Sequence, residues 1–258
     1  MANETKQAVA ALRRSHDELD ALVGGMSPTD LTKPSACTEW TIAQVLSHLG
    51  SAAEIGLATL TSGEADMDAS QAIWDRWNAM SPEEQATGFR SAGEALVQGY
   101  ESLSDEELST KKLKLGFLPA PVDIAFFAGM RLSEVGLHRW DIDVAFAATP
   151  EVADYLVAVV IQSLPAFAGY FAKPIGRDAR VSFHTTKPDG HYLLELNEDG
   201  ATFAQAPADT DSGTTVNLPA ESLLRLTSGR LRPDHTPVSV RVTGDLSLDD
   251  LRRIFPGY

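Results

Sequence analysis

Apolar residues in the first two-thirds of the chain recur at a helical period. Val9, Leu12, Leu19 and Leu22 fall on one stripe of a segment from about Lys6 to Leu22, the spacing of an amphipathic helix. Gly24-Gly25 ends it, and a connector with Pro28 and Pro34 follows. Thr41, with Gln44 three residues on, has the form of a capping box, and the helix it opens carries Ile42, Val45, Leu46 and Leu49 towards Leu60. Ser81-Pro82-Glu83-Glu84 is a stronger start, with Ser at N-cap, Pro at N1 and Glu at N3; this helix is expected to reach Leu103. Two more are predicted, over 122–146 behind Pro119 and Pro121, and from Thr149-Pro150-Glu151 to about Phe171. Four or five antiparallel helices of this kind make an up-down bundle.

The period changes after Lys173-Pro174-Ile175-Gly176. Val181 and Phe183, then Tyr192, Leu194 and Leu196, then Thr202 and Phe203 lie on short alternating runs. Lys187-Pro188-Asp189-Gly190 and Glu198-Asp199-Gly200 separate these runs as hairpin turns. Val216-Asn217-Leu218 and 238–242 read as further strands, and Pro219–Leu226 and Leu248–Ile254 as helices. The expectation is an α+β protein of two domains: a helical bundle over 1–172 and a small unit with an antiparallel sheet over 173–258.

Composition narrows the chemistry. The 258 residues are 43% hydrophobic and 22% charged, within the range of folded globular proteins. A single cysteine, Cys37, excludes an internal disulfide, a Cys-rich zinc site and an iron–sulfur cluster. A metal would therefore rest on His and carboxylate. The formal charge of −15 speaks against nucleic acid, since phosphate binding needs a surplus of Lys and Arg. The one short basic run, Lys111-Lys112-Leu113-Lys114, reads as a solvated loop. No signal-peptide core and no run of membrane-spanning length stands out, so the expectation is a cytoplasmic protein, monomeric or homodimeric, with small molecules as partners.

Glu134 and His138 lie four apart in the predicted 122–146 helix, and Asp141 three further on. They share one face, beside an apolar set of Phe126, Met130, Leu137, Trp140 and Val144. As a surface pair, Glu134 and His138 would add only a few tenths of a kcal/mol to the helix. His48, in Val45-Leu46-Ser47-His48-Leu49, reads on its own as a structural histidine. Together, His48, Glu134 and His138 would supply two imidazoles and a carboxylate with an open fourth position, the donor set of catalytic zinc. Cys37 is not read as a nucleophile, because no histidine is near it in sequence to activate it. Trp40 is read as core packing, and Trp74 and Trp77 as packing residues or a pocket rim. His16, His184, His191 and His235 share no spacing and are read as surface or strand residues.

The run Pro34-Ser35-Ala36-Cys37-Thr38-Glu39-Trp40-Thr41, followed by an apolar stretch ending in His48-Leu49, resembles the motif that opens the second helix of the mycothiol-dependent maleylpyruvate isomerase family. That family belongs to the wider DinB-like group of metal-binding four-helix bundles. Glu134-Val135-Gly136-Leu137-His138-Arg139-Trp140-Asp141 is similar to its second motif, Glu-x-x-x-His-x-x-Asp. The departure is Glu39, where the family usually has Gly before the tryptophan. The resemblance implies that His48, Glu134 and His138 hold a divalent metal, usually zinc, with Asp141 accepting the free ring N–H of a ligating histidine. Arg225 and Arg230 flank Leu226-Thr227-Ser228-Gly229, and this Gly-Arg resembles a feature of the family's second domain. An Arg there, Arg230 in particular, would hold a carboxylate substrate, or would merely favour a helix end.

The resemblance further implies a mechanism. A metal lowers the pKa of a bound thiol, and mycothiol, the small thiol of actinobacteria, would supply that thiol. The thiolate adds to an electrophile, the adduct rotates, and elimination converts cis to trans. Mycothiol S-transfer in detoxification, and a non-catalytic metal-binding or sensor module, are the alternatives.

Overall fold

In the computed structural model, residues 2–37 and 39–257 are described; Thr38 of the tryptophan motif lies outside them. The chain divides into two compact units, 1–150 and 151–258.

The first unit is helical. Its helices are α1 (Ala2–Gly24), α2 (Pro28–Leu31), α3 (Ile42–Ser62), α4 (Met67–Asn78), α5 (Pro82–Glu101), α6 (Asp105–Thr110) and α7 (Ile124–Asp143), with short strands β1 (Lys112–Leu113) and β2 (Val122–Asp123) before α7. The long helices α1, α3, α5 and α7 form the bundle, α3 packing chiefly on α5 and α1 on α7. Both expected capping boxes are present: Thr41 and Gln44 exchange side-chain and backbone bonds at the start of α3, and Ser81 and Glu84 do so at α5. Leu12, Leu19, Ile42, Leu46, Leu49, Phe89 and Leu96 are fully buried between these helices, each worth about 1.5–3 kcal/mol over exposure. Trp77 of α4 wedges its indole between two glycines. A Cβ on Gly50 of α3 would stand 2.1 Å from the ring, and one on Gly88 of α5 would stand 2.8 Å from it.

The basic run 111–114 is not a free loop. Leu113 is fully buried and pairs with Val122, so the apolar residue within the run decides its structure while Lys112 and Lys114 stay exposed beside Asp123 and Glu64. His16 also departs from expectation: it is buried on α1, its ring against Phe89 and Gly93.

The second unit contains α8 (Asp154–Phe171), strands β3 (Ala179–Thr186), β4 (Gly190–Asn197), β5 (Gly200–Gln205) and β6 (Thr214–Pro219), α9 (Ala220–Thr227), β7 (Arg241–Gly244) and α10 (Leu248–Ile254). The strand order is β5-β4-β3-β6-β7. β3, β4 and β5 form the expected antiparallel meander. β6, however, lies parallel to β3, so the sheet is mixed and not antiparallel throughout. The two intervening strands serve as the long connection that a parallel pair requires.

α8 packs against β5 and α9, with Leu156, Val157, Val160, Ile161, Leu164 and Ala168 buried. The division of the chain thus falls before this helix, earlier than the 172/173 boundary expected from the sequence. Gly169 of α8 allows the close approach, since a Cβ there would meet the Ala201 carbonyl oxygen at 2.9 Å. The Thr149-Pro150 start signal is not used, as α8 begins at Asp154 with no side-chain cap. By length and composition alone α8 is apolar enough to cross a membrane, with mean hydropathy 1.3 over 18 residues, which the sequence reading had not expected of any segment. The last strand begins at Arg241 and not at Val238, which is 90% exposed.

Candidate metal centre and adjoining pocket

α3 and α7 bring the two sequence motifs together. His48 on α3 places Nε2 3.0 Å from Oε2 of Glu134 on α7. His138, one turn further along α7, places its own Nε2 3.7 Å from the same oxygen. The three donor atoms lie within 4.8 Å of one another. Ligands about 2.0–2.1 Å from a tetrahedral zinc stand about 3.3 Å apart, so the observed 3.0 and 3.7 Å separations bracket that value. Two imidazole nitrogens and one carboxylate oxygen on two rigid helices fit a divalent metal.

Asp141 is 1% exposed and its Oδ2 lies 2.9 Å from His138 Nδ1. A carboxylate only accepts, so Nδ1 of the neutral ring carries the proton and the Nε2 lone pair is left to face Glu134 and His48. Burial pushes the Glu134 carboxyl up. The hydrogen bond with His48, the pull of the two imidazoles in their protonated form and the charge of Arg131 outweigh it and hold the carboxyl at about 2. Glu134 is therefore an anion at neutral pH.

Two connector residues also reach the site. Trp40 is 36% exposed and does not serve as core packing. Its ring is stacked on His138 at 6.3 Å and tilted over His48 at 5.5 Å. Cys37, distant from any histidine in sequence, has its sulfur within 4.8 Å of ligand atoms of His138 and Asp141. The backbone explains the approach, because Ala36 N–H donates to the Asp141 carbonyl at 2.9 Å. Glu39, between them, has φ +69°, a left-handed conformation that glycine adopts without penalty.

Beside His48 and Glu134 opens a pocket of about 210 Å³ between α3, α5 and α7. Its wall is nearly all apolar, with Ile55, Leu96, Phe127 and Met130 among its residues, and Trp74 lines it while Trp77 is buried in the bundle. Besides Thr59 of α3, two larger polar residues line it, Tyr100 of α5 and Arg131 of α7. Sequence reasoning missed both. The available signal was an arginine one turn before Glu134, among Ala128, Leu132 and Val135, on the stripe that the bundle buries.

In the second unit, Arg225 is buried and paired with Glu221, Nε to Oε2 at 2.7 Å, and Nη1 donates to the His235 carbonyl. Arg230, 8% exposed, follows Gly229 at φ +73° and donates from Nη1 to the Ser228 carbonyl at 3.2 Å. His184 and His191 face each other across β3 and β4.

A helical unit with a His–carboxylate–His centre beside an apolar pocket, followed by a unit with a mixed sheet, defines the class of protein. Residues 12–143 match the mycothiol maleylpyruvate isomerase N-terminal domain, and residues 154–250 match the C-terminal domain of the same proteins. The chain belongs to the mycothiol-dependent maleylpyruvate isomerase family. The crystal structure of a mycothiol-dependent maleylpyruvate isomerase shares its fold, with TM-score 0.67 at 13% identity over 94% of this chain and 95% of that one. The structure of a mutant of that isomerase matches with the same values. No curated protein sequence matches the chain.

Proposed function

We propose that the chain is a metal-dependent enzyme that uses mycothiol as the nucleophile on a small electrophile, in the manner of the isomerase that gives the family its name. The observation that carries this reading is the convergence of His48, Glu134 and His138 beside the apolar pocket. A divalent metal such as zinc, held by these three side chains, would make a coordinated thiol a thiolate at neutral pH. Asp141 holds His138 in the tautomer that offers Nε2. Trp40 covers both imidazoles and restricts water. The pocket holds the electrophile beside this centre and excludes bulk solvent from it.

In isomerisation the thiol sulfur bonds to one carbon of a conjugated double bond, and the electron pair moves to the carbonyl oxygen. Rotation about the resulting single bond and loss of the thiol regenerate the alkene as trans. Arg230 is proposed to bind an anionic group of substrate. The apolar wall of the pocket favours a second reading, S-transfer to an apolar electrophile in which the sulfur–carbon bond is retained.

Metal analysis of wild type beside His48→Ala and Glu134→Ala tests the site. Wild type is expected to hold one divalent ion and both variants to lose it; equal metal in all three refutes the assignment. Product analysis with mycothiol then separates isomer from conjugate.

A further inference from the structure

Two polar residues in the wall of the pocket beside His48 are not used by the chemistry above. Arg131 is 8% exposed and Tyr100 1% exposed. Nη2 of Arg131 donates to the Leu49 carbonyl at 2.7 Å. Its Nη1, and the Tyr100 hydroxyl, are buried without a hydrogen-bond partner among the described residues. An unpartnered buried donor of this kind is costly, and native proteins rarely keep one without a use. Here two donors, one of them cationic, line one pocket from neighbouring helices. Each also acts electrostatically on the other. Glu134 acts on Arg131 through space, while its Oε2 lies against His48 and His138. Burial lowers the Arg131 guanidinium to about 10, so it remains a cation at neutral pH.

Two buried donors in one pocket wall, with no acceptor among the described residues, suit an oxygen anion. Apart from Thr59 and the metal-centre residues His48 and Glu134, the rest of the wall is apolar, with Ile55, Leu96, Phe127 and Met130. At about 210 Å³ the space is below the ~300–1,000 Å³ of drug-sized pockets, which limits the occupant to a compact molecule. We propose that the electrophile enters with a carboxylate between Arg131 Nη1 and the Tyr100 hydroxyl, and with an apolar body against Ile55, Leu96, Phe127 and Met130. This rests on the reading that the pocket beside the metal centre is where the electrophile is turned over.

The test is a calorimetric titration of the full chain, freed of metal by chelation, with hexanoate and with hexan-1-ol, which has the same body without the carboxylate. Hexanoate is expected to bind at least about tenfold more tightly than hexanol, the worth of a hydrogen bond to a charged group. Tyr100→Phe is expected to weaken hexanoate by a similar factor and leave hexanol unchanged. Its urea midpoint should equal or exceed that of wild type, because the hydroxyl it removes has no partner. Arg131→Met tests the same point and also removes the bond to Leu49, so Tyr100→Phe is the cleaner variant. Equal affinity for the acid and the alcohol, or equal hexanoate affinity in wild type and Tyr100→Phe, overturns the proposal. So does hexanoate binding that appears only in metal-loaded protein, which would place the carboxylate on the metal. Failure of the metal reading shows in the metal content of wild type and His48→Ala, which this titration does not use.

Discussion

Each unit buries a charged cluster on a helix, and the two are built to opposite ends. On α9, Arg225 is fully engaged: Nε and Nη2 bond Glu221, Nη1 bonds the His235 carbonyl, and Ser222 donates to the same carboxylate. On α7, the charges are left incomplete. Glu134 draws two imidazoles to one oxygen, and Arg131 one turn away keeps a donor without an acceptor among the described residues. A satisfied buried network rigidifies the structure around it, while an unsatisfied one carries free energy that a ligand can recover. The two clusters can therefore be told apart by whether substitution costs folding or binding.

The largest effect is expected at the closed cluster. Glu221→Ala leaves the Arg225 charge buried without its partner, and urea unfolding should show a loss of about 3–5 kcal/mol, with metal content of the folded protein unchanged. Loss of metal instead would break the comparison. At the open cluster the response should be the reverse. Asp141→Asn keeps the shape of the side chain but no longer enforces the Nδ1–H tautomer of His138. A competitive chelator titration should show metal affinity reduced about 10–100-fold.

His16 gives an intermediate case, buried with Nε2 3.6 Å from a Glu94 oxygen. Burial lowers its pKa below the ordinary 6.5, against the pull of Asp20, Glu94 and Asp17. The unfolded chain then binds more protons than the folded one below pH 6.5, so stability falls as pH falls through that value and towards the lower folded pKa. The difference in stability between pH 7 and pH 5 should shrink in His16→Gln. The smallest effect is expected at Glu39. Glu39→Gly removes the penalty of a left-handed residue, about 1–2 kcal/mol, offset by the extra chain entropy of glycine, about 0.5–1 kcal/mol. Thermal unfolding should show a gain of up to about 1 kcal/mol.

What could be read from the sequence was what is local. The capping boxes at Thr41 and Ser81 are set by residues three apart, and Glu134 and His138 share a face because they are four apart. His48 was grouped with them by residue type and the family motif supported the grouping, since spacing says nothing of which helices meet. Cys37 was set aside for want of a nearby histidine in sequence, and it lies against His138 in space. α8 was placed in the bundle because its pattern announces a helix but not a partner; its apolar residues suit a sheet as well as a bundle. The sheet was read as antiparallel because hairpin turns are visible, whereas the parallel pairing of β3 with β6 depends on a return across two strands. Arg131 was overlooked because a lone arginine within a helix resembles any solvated charge until the burial of its neighbours is known.

The indole of Trp77, wedged between Gly50 and Gly88, acts as a spacer of fixed thickness behind the site. Gly50 is two residues from His48, so the gap between α3 and α5 and the position of that imidazole are set by one aromatic ring. Attempts to redesign the pocket would therefore meet an asymmetric tolerance. A methyl group at Gly56 would meet Leu96 at 3.4 Å, an ordinary contact, while any side chain added at Gly50 would push the helix that carries His48.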